Sequence, residues 1–313
     1  MKIVVFGKDG QVGKALQALA QSVESTCSFV GRAEVDLGEA QKIRDYLERI
    51  APDLVINAAA YTAVDQAQNE EGLAMAINAM APHTMAQYCA EHHAQLVHYS
   101  TDYVFDGRKL GWYTESDATK PLGVYGQSKL AGETLIAKAF SECANTEGRY
   151  WVLRTSWVYG EGNNFIRTML RLARERTTLR VINDQYGVPT SAAFLAKIGL
   201  AMASVRAPDS FAKPLPLIPA SGIYHCVPSG QTTWHGLATH VIGKAHALGM
   251  PLLCPTSAIE AIPAIAYPLP AQRPQNSKMD TGKLCGVLGI DALPNWQEHV
   301  DSYVAQCVNE ALG

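Results

Sequence analysis

Residues 3–13 decide the fold, and they read IVVFGKDGQVG. The first four are apolar and partly β-branched, which predicts a buried strand. A glycine then stands at every third position, and a helical pattern follows over residues 15–20. Such glycines let the backbone approach a pyrophosphate, and the helix N-terminus behind them offers N–H groups and a partial positive charge. The loop therefore predicts a dinucleotide site on Gly7, Gly10 and Gly13, against the alternative of a glycine-rich turn without a ligand.

Strand and helix patterns alternate from this loop to about residue 160. The alternation is typical of βαβ units and predicts an α/β protein built on a Rossmann-type, doubly wound parallel sheet. We expect a dinucleotide-binding domain over residues 1–160, completed by part of residues 180–230. Residues 161–313 would form a smaller mixed α/β part that mainly binds substrate. Within it, the four prolines of residues 204–222 predict a surface loop.

The composition excludes several classes of protein. The chain has 313 residues, of which 48% are hydrophobic and 18% are charged, as in an ordinary globular protein. Its net charge of −3 gives no electrostatic support for nucleic-acid binding. No apolar run approaches the roughly 18 residues of a membrane span, and residues 1–6 are too short for a signal-peptide core. The seven cysteines are scattered without a Cys-x-x-Cys pair, so we expect reduced thiols in a cytoplasmic protein.

The end of the second predicted strand bears on the choice of cofactor. Residues 27–30 form that strand, and Gly31 and Arg32 follow it. A site selective for NAD usually has an acidic residue there, whereas an arginine can pair with the 2′-phosphate of NADP. Arg32 therefore favours NADPH, with NADH left open because an isolated arginine is often only solvated.

Two later strands end in residues suited to a cofactor and to a carbonyl substrate. Residues 53–60 predict a buried strand, and residues 96–105 predict another with Thr101 near its polar end. Ligands of open α/β sheets bind beyond the carboxyl ends of the strands. The Thr101 hydroxyl is thus placed to hydrogen-bond a substrate carbonyl, unless it only satisfies backbone groups. The earlier strand ends in small side chains that let a cofactor lie close to the backbone, namely Ala58, Ala59 and Ala60.

Tyr125 and Lys129 stand four residues apart at the start of a predicted helix. Residues at i and i+4 share a helix face, so the phenol and the ammonium point into the same space. The usual pKa of a phenol is about 10, and a cation within about 4–6 Å favours phenolate. The spacing predicts a phenol that exchanges protons near neutral pH, as the reduction of a carbonyl to an alcohol by hydride requires. Without a cleft beside them, the two would be ordinary side chains on a surface helix.

Several stretches, in order along nearly the whole chain, resemble the extended short-chain dehydrogenase/reductase family. They are residues 7–13, 57–65, 99–105, 125–133, 154–159, 181–187 and 273–277. The last three lie in the half where the family diverges, and they are similar to members that reduce the C4 keto group of a dTDP-linked sugar. The resemblance implies NADPH-dependent reduction of a nucleotide-sugar substrate, with a product used for surface polysaccharides such as O-antigen.

The resemblance also implies roles for individual residues. Thr101 would polarise the C4 carbonyl, Tyr125 would protonate the forming alkoxide, and Lys129 would hold the nicotinamide ribose. The further residues implied at the cofactor are Gly10, Gln11 and Val12 at the pyrophosphate, Asp36 and Leu37 at the adenine, and Ala60, Tyr61 and Thr62 along its length. Those implied at the sugar are Trp157, with Asp102, Val104 and Arg273 as further candidates.

One departure from the family concerns metal binding. Some members hold a magnesium ion through helix carboxylates at a dimer contact, and the aligned positions here are Ala15 and Ala193. Alanine offers no ligand atom, so we expect no metal and no dimer of that kind, while a homodimer through another surface stays open.

Two other functions fit the same resemblance. One is an epimerase or dehydratase that keeps its cofactor bound, but a dehydratase needs an added acid–base pair, and Tyr103 rather than a glutamate follows Asp102. The other is a non-catalytic regulatory subunit, like the one of methionine adenosyltransferase. Such a subunit has less reason to keep Thr101, Tyr125 and Lys129 together.

Overall fold

The computed structural model of the chain describes residues 1–21, 23–144, 146–205 and 218–312. The strands are β1 (Lys2–Phe6), β2 (Thr26–Val30), β3 (Leu54–Asn57), β4 (Gln95–Thr101), β5 (Arg149–Thr155), β6 (Val158–Tyr159), β7 (Leu179–Ile182), β8 (Tyr186–Gly187), β9 (Thr190–Ser191), β10 (Gly222–His225), β11 (Thr232–Thr233) and β12 (Ile259–Ile262). The α-helices are α1 (Gln11–Ala20), α2 (Ala40–Ile50), α3 (Val64–Ala67), α4 (Glu71–Met75), α5 (Ala81–Glu91), α6 (Val124–Glu142), α7 (Phe165–Glu175), α8 (Ala192–Met202), α9 (Trp234–Ala247), α10 (Gly282–Leu288) and α11 (Trp296–Leu312).

A six-stranded sheet forms the centre, in the order β10-β5-β4-β3-β1-β2. Every neighbouring pair in it is parallel. The predicted doubly wound parallel sheet is therefore confirmed. From β1 the chain adds β2 on one side and then β3, β4 and β5 on the other side, so the strand order reverses between β1 and β3. Ligands of such sheets bind in the crevice at that point.

Helices cover both faces of this sheet, which is why its strands read as continuous apolar runs. Alternate residues of β1 point to opposite faces. Ile3 and Val5 pack with residues of α1, α8 and α10, whereas Val4 and Phe6 pack with residues of α2, α5 and α6. All four side chains are at most 1% exposed. Full burial of each stabilises the fold by about 1.5–3 kcal/mol, which fixes the strand behind the glycine loop.

The strand predicted over residues 96–105 is shorter than expected, because β4 ends at Thr101. The Thr101 hydroxyl accepts a hydrogen bond from the Tyr103 backbone N–H at 3.2 Å and so caps a 3₁₀ turn over Asp102–Val104. A side chain that satisfies backbone groups in this way competes with the strand ladder. The turn leaves Thr101 and Asp102 at the carboxyl edge of the sheet.

Helices α4 and α5 form one continuous run that is interrupted by a π-helical turn, Ala76–Met80. The turn carries Asn78, which is 1% exposed. Its amide bonds to the backbone N–H and carbonyl of Tyr61 and to the Ser128 hydroxyl. The extra residue of a π turn re-aims a side chain, and here it ties the loop after β3 to helix α6.

The second half of the chain adds smaller sheets and a separate core. The pairs are β6 with β9, β7 with β12, and β8 with β11. Residues of α7, α9 and α11 pack together in that core, among them Ile166, Val241 and Val304. β10 returns to the main sheet beside β5. The division into two domains at residue 160 stays a prediction.

Two further expectations concern the proline-containing surface loop and the absence of a membrane span. Most of the loop predicted over residues 204–222 falls on residues 206–217, which lie outside the described residues. In the described ranges, no helix combines the length and apolar character that crossing a membrane requires.

Candidate active site

A cavity of about 710 Å³ lies at the carboxyl ends of the strands, beside the neighbouring strands β1 and β3. The residues that line this cavity include all those that the sequence predicts at the cofactor, except Gly13. These are Gly7, Gly10, Gln11, Val12, Arg32, Asp36, Leu37, Ala58, Ala59, Ala60, Tyr61, Thr62, Tyr125 and Lys129.

The glycine loop is shaped by two close backbone approaches. Gly7 has a φ of +89°, and a Cβ on it would lie 2.6 Å from the Ala59 backbone nitrogen. A Cβ on Gly13 would lie 2.0 Å from the Gly7 carbonyl oxygen. Gly13 therefore serves the packing of helix α1 against the loop, which explains why it does not line the cavity.

The N-terminus of α1 is open toward an anion. The helix begins at Gln11 after Gly10, no side chain of the described residues caps it, and its first turn has no acidic residue. The first backbone N–H groups of a helix have no partner within the helix, and with the helix dipole they favour a negative charge. This arrangement suits a pyrophosphate.

Arg32 lies on the rim of the cavity at the end of β2. Its side chain is 81% exposed and pairs with Asp36 at 3.4 Å. A backbone N–H from Gly38, together with this arginine, lowers the pKa of Asp36. An exposed i,i+4 pair is weak, so the guanidinium can turn to a phosphate group at little cost.

Tyr125 and Lys129 lie in the cavity wall, and Thr101, which is 5% exposed and outside that wall, contacts Tyr125 from behind it. Tyr125 and Lys129 stand in the first turns of α6 and line the wall. The Thr101 hydroxyl, at the end of β4, hydrogen-bonds the Tyr125 phenol and favours its ionised form. The Tyr103 ring packs edge-on against Tyr125, with centroids 5.5 Å apart.

The expected low pKa of Tyr125 is wrong for the protein alone. Burial raises the pKa of Tyr125 to about 12, and this outweighs the opposing effect of Thr101. Lys129 is itself 1% exposed and has its own partners, so its ammonium is not free to act on the phenol. Tyr125 is therefore a phenol, and a proton donor, throughout the neutral range.

Lys129 is held at the floor of the site. Its ammonium donates to the Tyr99 backbone carbonyl at 2.7 Å and lies 3.0 Å from His98 Nε2. Burial, with the Lys129 charge as a smaller cause, holds the pKa of His98 well below its usual value, so His98 is neutral, and its Nε2 accepts from the ammonium in the tautomer with the ring hydrogen on Nδ1. Burial also lowers the pKa of Lys129 to about 8, against the attraction of Glu133. The lysine remains charged at neutral pH.

Asp102 lies behind the threonine rather than on the cavity wall. It is 2% exposed, and its two oxygens accept from the Thr101 hydroxyl at 3.1 Å and from the Ser277 hydroxyl. Burial raises the pKa of Asp102 to about 6, although both hydroxyls favour the carboxylate.

The other residues predicted to contact the sugar are also outside the cavity wall. Val104 is fully buried in the core of the second half. Arg273 makes a bidentate pair with Asp65, at 2.6 and 2.7 Å. Trp157 has a φ of +47° and stacks on Trp234, with ring centroids 3.7 Å apart. Their contact with a sugar stays a prediction.

Sequence reasoning missed several residues that line the cavity. Thr155 ends β5 and is the register partner of Thr101, so the same rule that selected Thr101 could have found it. No local pattern identifies Leu195, which comes from α8, far along the chain. The residues missed on the cavity wall include Ile77, Tyr99, Ser100, Thr155, Val158 and Leu195.

Two further features of the molecule are its possible metal ligands and its cysteines. Among the described residues, no group of three or more His, Cys, Asp or Glu side chains is arranged to hold a metal ion. The seven cysteines are free thiols.

Comparisons with known proteins extend along nearly the whole chain. The family described as RmlD substrate binding domain matches residues 1–309. A dTDP-4-dehydrorhamnose reductase of Escherichia coli is 43% identical over 309 residues, with 95% of each chain covered. A crystal structure of a dTDP-4-dehydrorhamnose reductase from Clostridium acetobutylicum superposes with a TM-score of 0.84 at 28% identity, covering 98% of this chain and 99% of that one. Another from Bacillus anthracis, in complex with NADP, has a TM-score of 0.81 at 29% identity, covering 97% and 99%.

Proposed function

The chain belongs to the family described as RmlD substrate binding domain, and we propose that it reduces the C4 keto group of dTDP-4-dehydro-β-L-rhamnose with NADPH to give dTDP-L-rhamnose. The observation that carries the proposal is that Tyr125, which bonds to Thr101, lines one cavity together with Lys129 and the glycine loop. The product would serve surface polysaccharides such as O-antigen.

The residues of the cavity fit a dinucleotide. Gln11 Oε1 and Thr155 Oγ1 are buried atoms without a hydrogen-bond partner in the described part of the chain, and both residues line the cavity. A buried polar atom left without a partner costs about 1–3 kcal/mol, so two such atoms in one wall point to a ligand. The open N-terminus of α1 supplies the positive end for its phosphates.

Reduction of a ketone requires a hydride at carbon and a proton at oxygen. NADPH, when bound, supplies the hydride. Tyr125 donates the proton, and its pKa of about 12 keeps that proton in place until the oxygen becomes an alkoxide. Two N–H groups of the Lys129 ammonium donate to Tyr99 and His98, which leaves the third for a ribose hydroxyl.

The remaining assignments follow from the same site. Arg32 favours NADPH because its exposed guanidinium borders the cavity at the end of β2 and can pair with a 2′-phosphate. Residues 1–160, completed by part of 180–230, would hold the cofactor, and residues 161–313 would mainly hold the sugar nucleotide. The free thiols support a reducing compartment, for which we propose the cytoplasm.

Tyr125→Phe is the central test. Without the phenolic proton, kcat should fall by about 10²–10⁴-fold, while NADPH binding should be nearly unchanged because the ring remains. Turnover is followed as loss of nicotinamide absorbance with dTDP-4-dehydro-L-rhamnose, and binding is followed by titration. Tyr267→Phe, at an exposed tyrosine, is the matched control.

Three outcomes would contradict this proposal. A wild-type protein that consumes no NADPH with this substrate at any pH is not this reductase. A protein that purifies with a tightly retained cofactor is better explained as an epimerase or dehydratase. Reductase activity that survives Tyr125→Phe would contradict the role of Tyr125, whereas a protein without turnover whose partner binding is indifferent to Tyr125→Phe would favour a non-catalytic subunit.

A further inference from the structure

The Thr101 hydroxyl has a single hydrogen, and Asp102 already receives it. The hydroxyl donates to Asp102 Oδ1 at 3.1 Å and accepts from the Tyr103 backbone N–H at 3.2 Å. A hydroxyl offers one donor and two acceptor positions. Donation to Tyr125, which would favour its ionised form, needs the same hydrogen, so with that hydrogen on Asp102 the Thr101 hydroxyl can only accept from Tyr125. Both the threonine and the tyrosine hydrogens then point away from a substrate oxygen.

The surroundings of Asp102 do not favour a charge. The side chain is 2% exposed, and its other oxygen accepts from Ser277, which is 3% exposed. The titratable or charged groups around it are the phenols of Tyr103 and Tyr125 and, beyond Tyr103, the ion pair of Arg273 and Asp65. The arginine is already neutralised by that aspartate. No cation among the described residues pairs with Asp102 directly.

We propose that Asp102 works in its protonated form, donating to Thr101 so that the threonine hydrogen turns to the C4 oxygen of the substrate. This rests on the proposed function and deepens it. Thr101 then accepts from Asp102 and from the Tyr103 backbone N–H, and it donates to the substrate. All three positions of the hydroxyl are filled. No proton leaves Asp102 in the reaction, so it is a positioning residue that acts through Thr101.

The inference predicts that activity falls as pH rises through the pKa of Asp102, which burial raises to about 6. When Asp102 is ionised, the Thr101 hydroxyl donates to it again, so the developing alkoxide loses one hydrogen-bond donor. Loss of one such donor costs about 10²-fold in kcat. Tyr125 does not titrate in this range because its pKa is about 12, and Lys129, with a pKa of about 8, gives a separate alkaline limb.

The experiment compares kcat from about pH 4.5 to 7.5 in the wild type and three variants. Asp102→Asn presents a permanent N–H to Thr101, so its profile should be flat where the wild type falls. Ser277→Ala removes a donor that favours the carboxylate, so the fall should move to higher pH. Asp106→Asn, four residues from Asp102, should keep the wild-type profile, since Asp106 bonds to Arg108 and Tyr113 instead.

Stability supplies a readout that does not depend on turnover. The folded pKa of Asp102 lies above its usual value of 3.8, so the native state binds more protons between about pH 4 and 6. The melting temperature of the wild type should therefore fall relative to Asp102→Asn as pH rises through that window. A purely structural role would lower kcat in Asp102→Asn at every pH and leave the shape of the profile unchanged.

The outcomes separate this inference from the proposed function. No turnover at any pH in the wild type contradicts the proposed function. Turnover with a flat profile from about pH 4.5 to 7.5, or a fall that persists in Asp102→Asn, overturns the role of Asp102 alone. A melting temperature that changes with pH in the same way in both proteins, from about pH 4 to 6, would also overturn it.

Discussion

At the scale of single residues, the site depends on how a buried ammonium is satisfied. Lys129 is 1% exposed, and its side-chain acceptor is a neutral histidine, His98, rather than a carboxylate. The amide of Asn57 lies 3.1 Å from the other ring nitrogen of that histidine and fixes the ring. A neutral acceptor does not neutralise the ammonium, so its remaining N–H can serve a ribose in the cavity. His98 is thus expected to control how easily Lys129 stays charged.

Replacing His98 by leucine should lower the pKa of Lys129 below its value of about 8. A hydrogen bond to a charged group is worth about 1.5 kcal/mol or more, which corresponds to a shift of about one unit. The alkaline limb of kcat should therefore move to lower pH by about that amount. His98→Gln retains an acceptor and should restore part of the shift. His92→Leu, at an exposed histidine, is the control, and an alkaline limb that stays in place in His98→Leu would contradict the prediction.

The residue scale also shows what sequence spacing can and cannot predict. The i,i+4 spacing correctly predicts that Tyr125 and Lys129 face one cavity, because a helix fixes that geometry. It cannot predict how deeply each group is buried. Burial by residues remote in sequence reverses the expected direction of the pKa of Tyr125. It also places Asp102 behind Thr101 rather than in the cleft.

At the scale of elements, the position of α6 depends on a contact between backbones. A Cβ on Gly132 would lie 2.2 Å from the carbonyl oxygen of Asn78, in the π turn. The glycine therefore lets α6 approach the turn closely enough for Asn78 to reach the Ser128 hydroxyl at 3.0 Å. Ser128 stands between Tyr125 and Lys129, so this contact positions the two residues that the chemistry needs.

Gly132→Ala should destabilise the fold, whereas the same change at Gly286 should not. Alanine at Gly132 overlaps backbone that cannot yield easily, which costs about 1–3 kcal/mol. Gly286 lies in α10, and no atom of the described residues lies within 4 Å of the position that an alanine Cβ would take, so alanine there should stabilise by about 0.4–1 kcal/mol. Urea unfolding midpoints measure the difference, and kcat should fall in Gly132→Ala alone. Equal midpoints for the two variants would show that the contact is not limiting.

Periodicity predicts regular elements better than their interruptions. The apolar runs of β1 to β4 identify the strands correctly because both faces of the sheet are covered. The same reading continues β4 past Thr101, since it cannot detect that a hydroxyl caps the next turn. The π turn at Ala76–Met80 has no signal in the local sequence, because it packs against α6, which lies later in the chain.

At the scale of the whole molecule, an ion pair near the active site joins the first half of the sequence to the second half. Asp65 follows β3, and Arg273 lies 208 residues later. Their bidentate contact, with a bond from the Ala271 backbone N–H to Asp65, holds the later segment in place. That segment borders a small cavity that Tyr125 also lines. The sequence marks Arg273 as a ligand for a charged substrate group, but no pattern could show that an aspartate from the first half already pairs with it.

A double-mutant cycle on Asp65 and Arg273 tests which of these two roles is correct. If the pair holds the later segment beside Tyr125, Asp65→Asn and Arg273→Met should each lower kcat/KM and the melting temperature. The double variant should then be little worse than either, with a coupling of about 0.5–1 kcal/mol, because the pair is only partly buried and its Coulomb energy is screened. Arg171→Met, which breaks an exposed pair on α7, should change neither quantity. If Arg273 instead binds the substrate directly, Arg273→Met should raise KM while Asp65→Asn does not, and the two effects should add.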